Sequence, residues 1–129
     1  MQKAVDPAML YNGGCNDGFL RKDALLAVVV LDGEQEYFSP GTPQQWYDAL
    51  VTAKKGDEEA IVTLVLSNDK ELPDSVCKHE PMWGPNPLRL FAEAAAHGRF
   101  ESICAPSYVP ALKATAATIL EQCALLIPQ

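Results

Sequence analysis

Asp32, Glu34 and Glu36 stand close together in the segment LDGEQEYFS, directly after an apolar run. Carboxylates at this spacing could ligate a divalent cation or meet a basic patch on another protein; a solvated acidic loop is the plainer alternative. Mg²⁺ asks for near-octahedral oxygen geometry, and this loop offers carboxylates without hydroxyl partners, so no metal is expected from it. His79 and Trp83, in a proline-bearing stretch, could form a binding surface or pack that stretch onto its own domain. Ser39, Ser67, Ser75, Ser102 and Ser107 lack the GxSxG elbow of a hydrolase nucleophile. Gly13-Gly14 lacks the spacing of a phosphate-binding loop. His97 falls at a predicted helix end, where a cation suits the helix dipole. Nothing joins a nucleophile, a base and an orienting group, so an enzyme is not expected.

These residues need elements to hold them. Ala24 to Leu31 is apolar at every position, the pattern of a strand buried on both faces of a sheet. The acidic loop therefore lies at the C-terminal end of a strand, where open α/β sheets place their ligands. Ala60 to Leu66, AIVTLVL, reads as a second buried strand. Between the two, Thr42 can cap a helix with Pro43 at its first position. That helix runs from Pro43 to about Lys55, turns Trp46, Ala49, Leu50 and Ala53 to one face, and ends at Gly56. A long loop from Ser67 to Asn86 follows the second strand; loops of this length are usually functional or pinned. Pro87 opens a helix over Leu88 to His97, capped by Gly98. Phe100 to Cys104 is a third, shorter strand. Pro106-Ser107 opens a last helix to about Gln122, with Tyr108, Leu112, Thr115, Ile119 and Leu120 as its core stripe. Ahead of all this, a helical piece from Gln2 to Leu10 is interrupted by Pro7 and followed by turns over Asn12 to Gly18.

Strand and helix alternate three times. Right-handed crossovers make the strands parallel and gather their C-terminal ends on one rim. The predicted class is α/β, a Rossmann-like three-layer sandwich on a mostly parallel sheet with three βα units. The 129 residues suit a single domain over residues 1–129. A net charge of −7 argues against nucleic acid, since neutralising phosphates needs a basic face. No apolar run approaches the roughly 18 residues of a membrane span. The opening MQKAVDPAML has no apolar signal core.

The four cysteines, Cys15, Cys77, Cys104 and Cys123, form no CxxC pair, and the histidines are not at zinc-site spacing. Topology limits their pairing. Cys104 ends the third strand on the top rim, whereas Cys123 lies past the following helix. A helix of about 15 residues is roughly 22 Å long, and a disulfide needs Cα atoms within about 7 Å. Cys77 leaves the top of the second strand and can reach Cys104; Cys15 precedes the first strand and can reach Cys123. The expected bridges are Cys77–Cys104 and Cys15–Cys123, with four reduced thiols as the alternative. Bridges would imply an oxidising compartment.

GFLRKDALLAVVVL with its acidic loop, Pro87-Leu88-Arg89-Leu90, FESICAPSYVPAL and the Cys123 to Pro128 tail together resemble the C-terminal half of a von Willebrand factor A-type domain. The likeness is to exported versions found in myxobacteria and related bacteria. It implies a Rossmann-like sheet with an adhesion-type Mg²⁺ platform on the top rim, built from DxSxS, a later Thr and an Asp after the fourth strand. Here DxSxS and the Thr loop are missing, and Gly33 stands where the metal-contacting Asp would align. The resemblance therefore implies a non-enzymatic adhesion or protein-binding domain with a degenerate or absent metal site and no cofactor. It would lie outside the cytoplasm, in periplasm, on the cell surface or secreted. Its partner-facing rim would be Asp32, Glu34, Glu36, the loop from His79 to Trp83, and Ala105 to Tyr108.

In the family's strand order, Ala24 to Leu31 would have a neighbour on each side, and this sequence supplies one. The other side would expose unpaired backbone with Leu and Val, which proteins rarely tolerate. Another chain could supply the lost strands, two copies could pair edge to edge, or the N-terminal segment could fold back over the gap. The first two make the protein a subunit of a larger assembly, completed through the open edge of that strand.

Overall fold

The computed structural model describes residues 2–21, 23–33, 36, 38–68 and 85–126. A 3-10 turn over Gln2–Val5 leads into α1 (Pro7–Leu10), which Pro7 starts and Asp6 caps by accepting from the Ala8 amide. The alternating units follow as β1 (Leu26–Asp32), α2 (Pro43–Ala53), β2 (Ile61–Ser67), α3 (Pro87–Ala94), β3 (His97–Ser102) and α4 (Val109–Leu125). The three strands form one open parallel sheet in the order β1-β2-β3. The chain is thus an α/β, Rossmann-like fold with a helix after each strand.

Local chemistry explains the helix ends. Thr42 accepts from the Gln45 amide while the Gln45 side chain accepts from the Thr42 amide, a complete capping box with Pro43 just inside it. Beyond α2 the chain needs left-handed backbone twice, at Lys55 (φ 58°) and Gly56 (φ 89°), which stops the helix before β2. Asn86 caps α3 through its Oδ1.

Two layers of helix enclose β2. On one face Trp46, Tyr47 and Leu50 of α2 and Leu88, Phe91 and Ala92 of α3 pack on Ile61 and Val65. Val5 of the N-terminal segment joins this cluster, with Leu26, Val28 and Val30 of β1 at its margin. On the other face Ala111 of α4 meets Leu64 and Leu66. Every residue of β2 is buried.

Three expectations change. β3 begins at His97, so His97 and Gly98 belong to a strand and do not close a helix. Gly98 is needed there because a Cβ would fall 1.7 Å from the Ala92 carbonyl oxygen, so β3 passes directly beside the end of α3. His97 instead meets the Glu59 carboxylate at 2.7 Å. In the core stripe of α4 Thr115 is buried as expected, but Ala111 joins it, while Leu112 and Leu120 are exposed. Small residues face the sheet, and the leucines turn outward. Finally, β1 is not enclosed on both faces: its residues alternate between half-buried and exposed.

Candidate functional site

The top rim is two different surfaces. Over β2 and β3 it is closed by its own polar groups. The buried Asn86 amide donates to Ser67 Oγ (3.2 Å) and to the Asn68 carbonyl (2.6 Å). The Ile103 amide donates to the Ser67 carbonyl (2.8 Å), and Ser102 Oγ accepts from the Cys104 amide (3.0 Å). Tyr108, expected on the partner-facing rim, donates its hydroxyl to the Ile103 carbonyl just before α4. Asn86 escaped the sequence reading although the Asn-Pro pair at a helix start is a cap signal.

Over β1 the rim, among the described residues, holds a cavity. Asp32 ends the strand, and Glu36 lies beyond it. Both line a cavity of about 550 Å³ together with Gln2, Lys3, Phe38 and Trp46. Glu36 accepts the amides of Phe38 (2.7 Å) and Ser39 (2.8 Å), and those two bonds hold its carboxyl below the ordinary carboxylate range. The same folding-back leaves the Phe38 ring 94 % exposed. The structure thus brings Asp32 and Glu36 together, and Tyr108 is not among the residues lining their cavity. Glu34, Cys77, His79 and Trp83 lie outside the described residues. Among the described residues no group of three His, Cys, Asp or Glu converges as metal ligands.

Cys15 and Cys123 are free and exposed, so the expected bridge between them is not formed. The turns around Cys15 are tied to the N-terminal segment through Asn16, whose amide donates to Met9 and whose side chain donates to Ala4. That segment packs with α2 on one face of the sheet, whereas Cys123 rides on α4 on the other. Order along the chain puts both at the same end of the sheet, but the sheet stands between them.

The open flank of β1 has a definite phase. The Leu26 amide donates to the Ala60 carbonyl of the β2 side (2.8 Å), and Leu26 is paired with Ile61. In a parallel ladder, alternate residues turn both backbone groups to the same neighbour. Leu26, Val28, Val30 and Asp32 therefore serve β2, and Ala27, Val29 and Leu31 turn their N–H and C=O groups outward. The side chains of these three also share the face away from α2, where Val29 is 54 % and Leu31 68 % exposed. Lys54 fixes the entry to this strand: its buried ammonium donates to the Arg21 carbonyl (3.0 Å) and the Ala24 carbonyl (2.6 Å).

Against protein-family models, curated proteins and solved structures, the chain matches none. Among the described residues no helix is long and apolar enough to cross a membrane.

Proposed function

We propose that this chain is a non-enzymatic, protein-binding α/β unit whose sheet is finished by another polypeptide along the β1 edge. One observation carries the reading: Ala27, Val29 and Leu31 expose an apolar row together with a backbone ladder that has no partner among the described residues, on a strand as apolar as the buried one beside it. Isolated exposed apolar residues are ordinary; a strand edge carrying both is a template for another strand. The N-terminal segment covers the opposite face through Val5 and donates nothing to the ladder among the described residues. Kinship with the C-terminal half of a von Willebrand factor A-type domain is part of the proposal and rests on the sequence likeness together with three parallel strands in consecutive order.

The test is the mass of the protein in its native assembly, with and without reductant. More than one polypeptide, insensitive to reductant and dispersed by Val29→Lys, is the expected result. A lone chain whose mass and solubility ignore Val29→Lys overturns the reading.

A second reading places an adhesion-type ligand at the rim cavity, and the opening between Asp32, Glu36 and Phe38 favours it. Binding of a partner that requires Mg²⁺ and disappears in Asp32→Asn would support it; binding indifferent to both would remove it. An oxidising, extracytoplasmic setting belongs to the same proposal through a Cys77–Cys104 bridge. Cys104 is buried at the end of β3 and is not one of the free thiols. Thiol counting under denaturing conditions decides: two reactive cysteines fit the bridge, four exclude it.

A further inference from the structure

The polypeptide that fits this edge, granted the reading above, is a second copy of the same chain. We infer that two copies pair β1 with β1 antiparallel about a two-fold axis through Val29, giving a continuous six-stranded sheet.

Three observations lead there. The first is phase. The outward residues are Ala27, Val29 and Leu31, symmetric about Val29 within β1 (Leu26–Asp32). An antiparallel two-fold at Val29 sets Val29 against its twin and Ala27 against Leu31 of the other copy. All three become hydrogen-bonded pairs of the kind that exchange both N–H···O bonds, so each outward backbone group finds a partner. Opposed residues in such a pair share a face. The exposed rows of the two copies merge into one apolar strip, with no polar residue in it.

The second is charge. Arg21, Lys22 and Asp23 precede β1 and carry a net charge of +1, two cations less one carboxylate, with the Arg21 carbonyl bound by Lys54. Asp32 and Glu36 lie at the C-terminal end, where Lys3 beside them leaves a net charge of −1, two carboxylates less one cation. Antiparallel pairing brings the acidic end of one copy to the cationic lead-in of the other. Parallel pairing would set Asp32 beside Asp32 and bring like charges together, which is unfavourable. The edge therefore selects one direction for its own copy.

The third is α4. It follows β3 and runs back against the strand direction, on the face opposite α2. With right-handed crossovers and a right-handed helix, the residue after each sheet-facing one leans toward β1. Ala111 and Thr115 face the sheet, so Leu112 and Ala116 lie on the side of α4 turned toward β1, with Leu112 exposed. The two charged residues of α4, Lys113 and Glu121, fall off that flank. In the paired sheet the strip of Val29 and Leu31 is walled on both sides by these apolar flanks.

The experiment uses the full chain with Cys15→Ser and Cys123→Ser, which removes the exposed thiols. The native chain should sediment at twice its 14.0 kDa mass. Val29→Lys should return it to one chain. Val29→Cys should cross-link to its twin on mild oxidation, because hydrogen-bonded partners lie about 5.5 Å apart and a disulfide needs Cα atoms within about 7 Å. Ala27→Cys should fail to cross-link, because four residues of offset is roughly 13 Å. Cross-linking by Ala27→Cys as readily as by Val29→Cys would overturn the antiparallel register. A dimer that survives Val29→Lys, or a monomer at every concentration, would overturn the second copy as occupant. In that last case the broader reading is judged separately: protection of the Ala27, Val29 and Leu31 amides from exchange within the native assembly keeps it, with another partner, and fast exchange there ends it.

Discussion

Leu31 and Leu66 are cross-strand neighbours on the same face of the sheet, yet Leu31 is 68 % exposed and Leu66 2 %. Val29 and Leu64 form a second such pair, and they divide in the same way. β1 (LAVVVLD) and β2 (IVTLVLS) are equal in length and nearly equal in apolar content. What separates them is cover. The core of α2 and α3 reaches the inner face of both strands, but the cluster around Ala111 of α4 takes in only β2. Apolar content tells what surroundings a strand suits; its place in the sheet decides what surroundings it has. β1 has the composition of a central strand and the position of an edge.

The largest effect should come from breaking the covered member of a pair. Leu66→Ala removes a buried side chain and should cost about 2–5 kcal/mol. Leu31→Ala in the uncompleted chain should stay within about 0.5 kcal/mol, as exposed substitutions do. Chemical denaturation of the two variants in the Val29→Lys background, which keeps the chain single, measures the gap. Equal costs there would mean that the chain covers Leu31 by itself, and the comparison would collapse.

Lys54→Met tests how β1 is held in place. It strips two carbonyls, at Arg21 and Ala24, of a charged donor while keeping the aliphatic bulk. These bonds are part-buried, so their loss should cost about 1 kcal/mol, the net contribution of a typical hydrogen bond. Amide exchange should rise at the start of β1 and remain slow in β2. A uniform rise across both strands would show that Lys54 supports the whole core and not the edge alone.

Thr63 sharpens the contrast from within β2. Its hydroxyl is buried and makes no hydrogen bond among the described residues. A buried unpaired hydroxyl is unfavourable, so Thr63→Val, which keeps the shape, should raise stability by up to about 1 kcal/mol. A fall in melting temperature would reveal a bond that the hydroxyl makes in solution.

Much of this was legible in the sequence because strong local signals agreed with the fold. The runs at Ala24 and Ala60 are strands, and Thr42-Pro43 starts a helix. The failures share a cause. Gly98 carries the same letter whether it caps a helix or lets β3 pass close to α3, and only the packing decides. In α4 Thr115 faces the sheet as its pattern predicts, but Ala111 stands beside it there in place of the larger Leu112 and Leu120, which are left outside. The rim acids could be picked out by type, but the cavity they line also needs Gln2 and Lys3, brought from a remote stretch of chain. Nor could sequence show that the Glu36 carboxylate is already engaged by the Phe38 and Ser39 amides.

That engagement gives the smallest effect, and it separates the two halves of the rim by pH. Glu36 has its pKa lowered in the fold by the Ser39 and Phe38 amides, in that order. A carboxyl whose pKa is depressed on folding adds stability above its unfolded pKa and loses it as pH falls through the folded one. The Phe38 and Ser39 amides should therefore exchange slowly at neutral pH and open under acid, at a pH below the ordinary carboxylate range. The Asn86 bonds over β2 carry no titrating group and should ignore the same acid step. Glu36→Gln should abolish the acid step at Phe38 and Ser39 with little change in global unfolding, since the loop is a surface feature. If the step persists in that variant, another acid holds the loop, and the half of the rim that holds the cavity is organised differently from the geometry described above.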